Sequence, residues 1–502
     1  MLSDSDSCLA VLLVCVVAKD TKAGTADLRY TGGTTQPKQR KTTMPNADLD
    51  TLTYLLSRLR LAFNRRSFEK MLILFAGWVL TDDPTRYVTS ALVATGASSV
   101  RPWVIFHRFF SRAKWKTDTL GWMLFLLLRR LLGDSRWVIA ADDSVCRKKG
   151  DSLFGVSYHV DPVSSSRGHK NIVPGHCWVT LSVTMSVPWS CRPWAVPVLF
   201  RLFVGKKHAG ANYKKKTALL VEMLEEFSGW VPEGIVCDLV VDSAYVCNAV
   251  ARAARQRFTL IGAVKSNSRF NAPKPELQPN GRGGRPKKKG ERLPVVSELL
   301  QSRKHVTIKY KGYSKTRMQK FCVMQVQWYS VLGESTCTML CTKSNGMVRV
   351  FVCSDPSRSA REILETYARR WSQECWYRDA KQYFGWADSP ASSEQAVLHM
   401  APWVGLMSGL MTVWFHSAWQ QAVTLPIRPW YTHKKNLSFE DMLRACRATL
   451  RGVDILEWAA STAKNTTLYS MPTTGVKKAP VPRCCEIFEG SASTTKISRI
   501  AA

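Results

Sequence analysis

Two stretches constrain this chain more than any other. RWVIAADDS (136–144) and GIVCDLVVDSAY (234–245) each carry a continuous apolar run that stops at aspartate. An apolar run without polar alternation is a strand buried on both faces, and such strands belong to sheets covered by helices. FGVSYHVDP and HCWVTLSVTM follow the first run; both are short, rich in β-branched and aromatic residues, and bounded by turn signals. The amphipathic TALLVEMLEEFSGW (217–230) comes next, then the second apolar run, a short helix and another strand, FTLIGAV (258–264). Three strands, a helix and two strands joined by a helix make a mixed α/β sheet. Aspartates at the ends of adjacent central strands, here Asp142 and Asp242, project into the crevice where such sheets bind ligands. Singly, each is as readily a turn or cap residue.

The flanks are read the same way. From Leu52 to Leu132, LLSRLRLAF, FEKMLILFAGWVL and GWMLFLLLRRLL repeat apolar residues at three and four, as helices do. Thr81-Asp-Asp-Pro has the form of a helix start. Gly96 to Ser99 forms a turn before VRPWVIFHRFFSR, which permits either a helix-turn-helix or an ordinary bundle. VTIKYKGY, KFCVMQVQWYS, TCTMLCTK and VRVFVCSD are strands, and the period is helical again from Ser359 to Phe384. Pattern fades beyond Lys434, and the last forty residues are expected to be poorly ordered. The domains expected are a leader that is disordered or follows a misassigned start codon (1–43), a helical domain (44–135), and an α/β sheet in two parts (136–264 and 346–425). A β-rich insertion (265–345) and a C-terminal region (426–502) complete the division.

Lys and Arg number 71 against 38 Asp and Glu, a formal net charge of +33. With 45% hydrophobic and only 22% charged residues the chain is no disordered polycation, so the excess points to a polyanionic partner. Part of the excess sits in a Pro- and Gly-rich stretch, 272–292, expected to be a mobile loop. Its Arg282, Arg285, Lys287, Lys288 and Lys289 are candidates for tracking phosphates or entering a minor groove. The 15 cysteines show no CxxC and no zinc spacing, and are read as reduced, buried thiols. Cys8 to Ala18 is apolar but too short to span a bilayer, and acids precede it. Val397 to Trp419 lacks charge, but Pro402, Gly405 and Gly409 suit a buried helix pair better than a membrane span.

A third carboxylate completes the pattern. Tyr367, Arg370, Glu374 and Lys381 fall within about 60° of one another on a helix at ~100° per residue, with Arg378 beside the stripe. An aromatic, two or three cations and one acid make a poor core face; in isolation this is a solvated face with a Glu374–Arg378 pair. Laid across the ends of the two strands, however, it brings Glu374 to Asp142 and Asp242. Three carboxylates suit two divalent cations for in-line phosphoryl transfer.

The spacing Tyr-x2-Arg-x3-Glu-x6-Lys, with ADDS and VVDSAY before it, resembles the signature of DDE transposases of bacterial insertion sequences. The branch it resembles has an RNase H-like domain with a β-strand insertion before the catalytic Glu. The resemblance covers roughly 57–416. It implies an RNase H-like α/β fold behind a helical N-terminal domain, with Asp142, Asp242 and Glu374 as catalytic and metal-binding residues. Asp143 remains open as the first ligand in place of Asp142. The resemblance also implies that Tyr367, Arg370 and Lys381, with Arg378, grip DNA phosphates, and that Trp328 from the insertion is a candidate to stack on a flipped base. The implied cofactor is Mg²⁺, two ions, with Mn²⁺ substituting. The implied partners are double-stranded DNA, as terminal inverted repeats and target, and a second copy in a homodimer, with no membrane. The expected location is cytoplasmic, at the nucleoid. The rival reading is an inactive DNA-binding protein descended from a transposase.

Overall fold

The computed structural model describes residues 47–465 except 84, 134–135, 151, 162–163, 167, 275–287, 419–429 and 431–435. The expected leader, Arg282, Arg285, Lys287 and the last stretch from 466 lie outside the described residues.

A ten-stranded mixed sheet organises the chain. At its centre β1 (Trp137–Arg147) pairs parallel with β5 (Cys237–Val241), which pairs parallel with β6 (Phe258–Val264). On its other edge β1 runs antiparallel to β3 (Ile172–Val187), and β3 carries both the short β2 (Ser157–Val160) and β4 (Ser190–Phe203). This is the mixed sheet expected from the two apolar runs, in the RNase H-like arrangement that the resemblance implies. The insertion strands do not form a separate layer. β10 (Met347–Cys353) pairs with β6, and β9 (Thr336–Ser344), β8 (Thr316–Gln327) and β7 (Val306–Lys311) extend the same sheet as an antiparallel meander.

β4 has no counterpart in the sequence reading. Pro193 and Pro197 interrupt its apolar pattern, and a proline within a run argues against a central strand. β4 tolerates them because it pairs only with β3, with a register shift beside Pro197.

The helical N-terminal part comprises α1 (Ala47–Arg58), α2 (Arg65–Leu80), α3 (Val88–Ala94), α4 (Ala97–Val100), α5 (Val104–Ser111) and α6 (Thr117–Leu132). The expected helix start at Thr81 is corrected: Thr81 ends α2, and α3 begins only at Val88. The carbonyls left free at the end of α2 are taken by arginines. Buried Arg86 donates to Trp78 O and Thr81 O, and Arg447 to Val79 O and Thr81 O. The turn before α5 holds the one-turn α4, entered through Gly96 at φ +72°.

Behind the sheet the short α7 (Lys206–Ala209), α8 (Lys216–Trp230) and α9 (Asn248–Ala254) link strands, and α10 (Val296–Ser302) and α11 (Tyr329–Leu332) belong to the insertion. α12 (Ala360–Ala368) and α13 (Trp371–Tyr383) replace the single helix expected over Ser359–Phe384. Between them the hydrogen bonds tighten to i→i−3, from Arg369 to Thr366 and from Arg370 to Tyr367, and Ser372 Oγ donates to the Arg369 carbonyl. The helix pair expected around Pro402 is instead one continuous helix, α14 (Glu394–Ala418). Its glycines serve packing: a Cβ on Gly405 would lie 2.3 Å from the Phe200 ring of β4. α14 is long and apolar enough to cross a membrane, yet 94% of its most apolar window is buried within the protein. Beyond Lys434, where pattern seemed to fade, α15 (Phe439–Leu450) starts with a capping box of Ser438 and Asp441, and α16 (Ile455–Lys464) is capped by Asp454. All the described cysteines are free thiols.

Gly121 marks how tightly α6 sits on β4, since a Cβ there would lie 2.0 Å from the Val198 carbonyl oxygen. Gly121→Ala is therefore expected to cost ~1–3 kcal/mol in chemical denaturation. Gly229→Ala near the end of α8, where a Cβ meets nothing within 4 Å, is expected to be neutral or stabilising.

Candidate active site

The register of the two parallel strands fixes the first two acids. Ala141 pairs with Val241, so Asp142 and Asp242 stand at the next position on neighbouring strands, where β5 has ended and β1 continues. Asp242 turns into the following loop, its Oδ1 accepting from Ala244 N at 2.9 Å. Asp142 lies largely out of solvent beneath α13.

Alternation along β1 separates the two adjacent aspartates. Asp143 points to the opposite face, where it accepts from Tyr245 Oη (2.6 Å), Lys216 Nζ (2.6 Å) and Cys177 Sγ (3.2 Å). Burial works against its charge, but Lys216 and these hydrogen bonds hold its carboxyl below the usual range. Asp143 is thus fully engaged as the anchor that ties β1 to the start of α8 and to the loop after Asp242. Asp142 faces Arg370, Asp242 and α13.

α13 lies along β1 and meets it at three levels. Tyr377 Oη donates to the Asp142 carbonyl (2.8 Å), while Lys381 Nζ donates to Ser144 Oγ (2.8 Å) and Val145 O (2.7 Å). At the lowest level the Arg370 guanidinium bridges two carboxylates, Asp142 at 2.9 Å and Glu374 at 2.6 Å. Tyr367 stacks its ring under the same guanidinium, 5.9 Å from centroid to Cζ, and packs edge-on against Phe351 of β10. The fold therefore gathers Asp142, Tyr367 and Glu374 around Arg370, with Asp242 near enough to Asp142 and Tyr367 to act on both and Lys381 further along β1.

The electrostatics are those of carboxylates short of positive charge. Burial, with Asp242 adding to it, pushes Asp142 up to about 7, although Arg370 draws it down. Burial likewise opposes the Arg370 charge, but Tyr367, Glu374 and Asp142 raise its pKa overall. The Arg370 Nε is buried with no partner. Among the described residues no three His, Cys, Asp or Glu side chains stand close enough to hold one ion together. At this site the guanidinium lies between Asp142 and Glu374. The acids here offer only carboxylate oxygens, the donors that a hard divalent cation takes.

Other expected contacts fall elsewhere. Arg378 is half exposed and paired with its neighbour Asp379 at 2.8 Å, not with Glu374. The base-stacking expectation for Trp328 is corrected. Its ring is 6% exposed and packs on Phe270, and it follows the end of β8 opposite the acids, four strands from β5. Lys288 and Lys289 are held beside that same end, where Gln327 Nε2 donates to the Lys288 carbonyl and Lys289 lies over the Tyr329 ring. What the insertion does bring to the acid end is the β7–β8 hairpin tip. Tyr313 Oη donates to Pro193 O at 3.2 Å and its ring receives Arg192, so the tip reaches across to β4 beside α13. No sequence signal pairs positions 120 residues apart; only the meander register does.

Asp143→Ala leaves Lys216 and the Tyr245 hydroxyl without their shared acceptor. It is expected to cost about 1–3 kcal/mol, measured by urea denaturation, with Asp143→Asn recovering part of the loss.

No curated protein matches the chain. The family model described as DDE superfamily endonuclease matches residues 59–330, from the helical N-terminal part to α11. That span holds Asp142 within β1 and Asp242 just after β5, and stops short of the helix that carries Glu374. It covers more than half of the 502 residues, and the chain belongs to the DDE superfamily endonucleases.

Proposed function

We propose that this endonuclease is a DNA transposase that cuts at the ends of its own element and joins the freed 3′-hydroxyl to target DNA. Family membership makes DNA the substrate and a divalent metal the customary cofactor. The observation that carries the finer reading is the Arg370 bridge between Asp142 and Glu374, with Asp242 near enough to Asp142 to raise its pKa. On this reading Asp142, Asp242 and Glu374 hold Mg²⁺, two ions, with Mn²⁺ able to replace them. Bound there, the metal supplies activation of a water or 3′-hydroxyl and charge neutralisation on the leaving oxygen.

The chain's own groups do the rest. Asp143, engaged on the far face, keeps β1 in register so that Asp142 points under α13. Tyr377 and Lys381 fix α13 along β1, which sets the height of Glu374 relative to the two aspartates. Asp142, Asp242 and Glu374 would hold the metal, and the Arg370 guanidinium, backed by the Tyr367 ring, would offer its charge to the scissile phosphate. Lys381 adds positive charge further along the same groove. The ends recognised are terminal inverted repeats, bound by a dimer whose helical N-terminal parts read sequence.

One observation favours a second reading, a DNA-binding protein that no longer cuts: the carboxylates are bridged by Arg370 and not grouped as a ready ion site. Two experiments decide. Asp142→Asn, Asp242→Asn and Glu374→Gln are each expected to lower Mg²⁺-dependent cleavage of an end-containing duplex by at least about a hundredfold. Cleavage retained in all three removes the assignment, and binding without cleavage by the parent at any Mg²⁺ or Mn²⁺ concentration favours the second reading. In Arg370→Gln the carboxylates lose their counter-charge. Its melting temperature in chelator is expected to fall below the parent's, and Mn²⁺ is expected to raise it by more than it raises the parent's.

A further inference from the structure

We infer that a lysine tract at the end of the sheet beyond Asp142, formed mainly by Lys149, Lys206, Lys207 and Lys215, is a docking surface for the phosphate backbone of duplex DNA flanking the cut. The inference rests on the endonuclease reading and adds a second contact surface to it.

The tract is built by register from three segments distant in sequence. β1 runs on past Asp142 to Arg147, five residues or ~17 Å at strand rise, and Lys149 follows. β3 begins at this end, Arg147 pairing with Gly175, and Lys148 N donates to Pro174 O. β4 ends at the same level, Phe203 beside Cys177, and Ser157 Oγ accepts from Gly205 N at 2.7 Å. Lys206 and Lys207 follow directly, so they stand about two strand spacings, ~10 Å, from the Lys149 turn. Lys215 completes the surface at the start of α8.

These cations differ from their neighbours in what they face. Arg147 is paired with Asp161, Lys214 with Glu222 at 2.5 Å, and Lys216 turns inward to Asp143. Lys148 is spent on the Ala387 and Ser389 carbonyls. Lys149, Lys206, Lys207 and Lys215 are exposed, and none has a carboxylate partner among the described residues. Lys216 and Lys148 thus fasten the tract to β1 and to the turn after α13, so it forms a fixed surface next to the candidate site. Along β1 the order of positive charge is Arg370 at Asp142, Lys381 at Ser144 and Val145, then the tract. A line of cations that starts at the reactive groups and leads away from them matches a duplex, which presents one charge per ~1.7 Å.

The test measures binding of the full-length protein to a fluorescent 40-base-pair duplex across a salt series, without metal, so that cleavage plays no part. Lys206→Ala, Lys207→Ala and Lys215→Ala are combined in one variant. A control combines Arg252→Ala, Arg303→Ala and Lys304→Ala at the opposite end of the sheet. Losing three phosphate contacts is expected to reduce the slope of log Kobs against log salt by about 2–3 in the tract variant, and by less than one in the control. Unchanged melting temperatures in both are expected from the exposure of all six residues. A tract variant with the parent's slope, or a control that loses as much, overturns the surface alone. A parent that binds no duplex at low salt overturns the endonuclease reading together with it.

Discussion

Burying β1 on both edges and both faces is the constraint from which the rest of the molecule follows. β1 pairs parallel with β5 over only five positions but antiparallel with β3 over ten, so it outruns β5 at its C-terminal end. That overhang is where the sheet can no longer satisfy itself with strand neighbours. α13 fills the place of the missing strand, with Tyr377 and Lys381 donating to β1 carbonyls. The helix that bears Glu374 is thereby brought to Asp142 by backbone accounting as much as by charge.

Charge then settles the local arrangement. Two adjacent aspartates on a strand face opposite ways, and each face has been provided with a cation, Lys216 for Asp143 and Arg370 for Asp142. The two pairs are not equivalent. Asp143 also has Tyr245 and Cys177 as donors and stays well ionised, whereas Asp142 shares Arg370 with Glu374, has Asp242 beside it, and is pushed up to about 7. Asp142 is thus the less neutralised of the two aspartates, although it lies beside the more crowded cation.

Much of this was legible in sequence because it rests on periodicity. The strands β5 and β6, the meander β7–β10 and the helices α2, α6 and α8 all follow from runs that can be buried in only one way. The stripe of Tyr367, Arg370 and Glu374 survived the tightened turn between α12 and α13 because side chains at i and i+3 eclipse in an i→i−3 turn, which keeps Tyr367 and Arg370 together. Signals that depend on partners were not legible. β4 was hidden by two prolines that only an edge strand accepts and α15 by a polar face, while glycines that serve Phe200 made α14 read as two helices. Trp328 could not be separated from a base-stacking aromatic until its ring was seen against Phe270.

The sequence by itself determined a mixed α/β sheet, a strongly basic chain, two aspartates at strand ends and a glutamate on a helix stripe, since apolar runs, charge balance and helical spacing are local properties. Only the tertiary structure decided which aspartate of the pair faces the third acid, because strand alternation has no meaning until register is fixed. It also decided which cations are free. Lys214, Lys215 and Lys216 are identical in sequence, yet one is paired with Glu222, one is exposed and one is turned in to Asp143. Which of them can meet a phosphate depends on neighbours that only folding supplies.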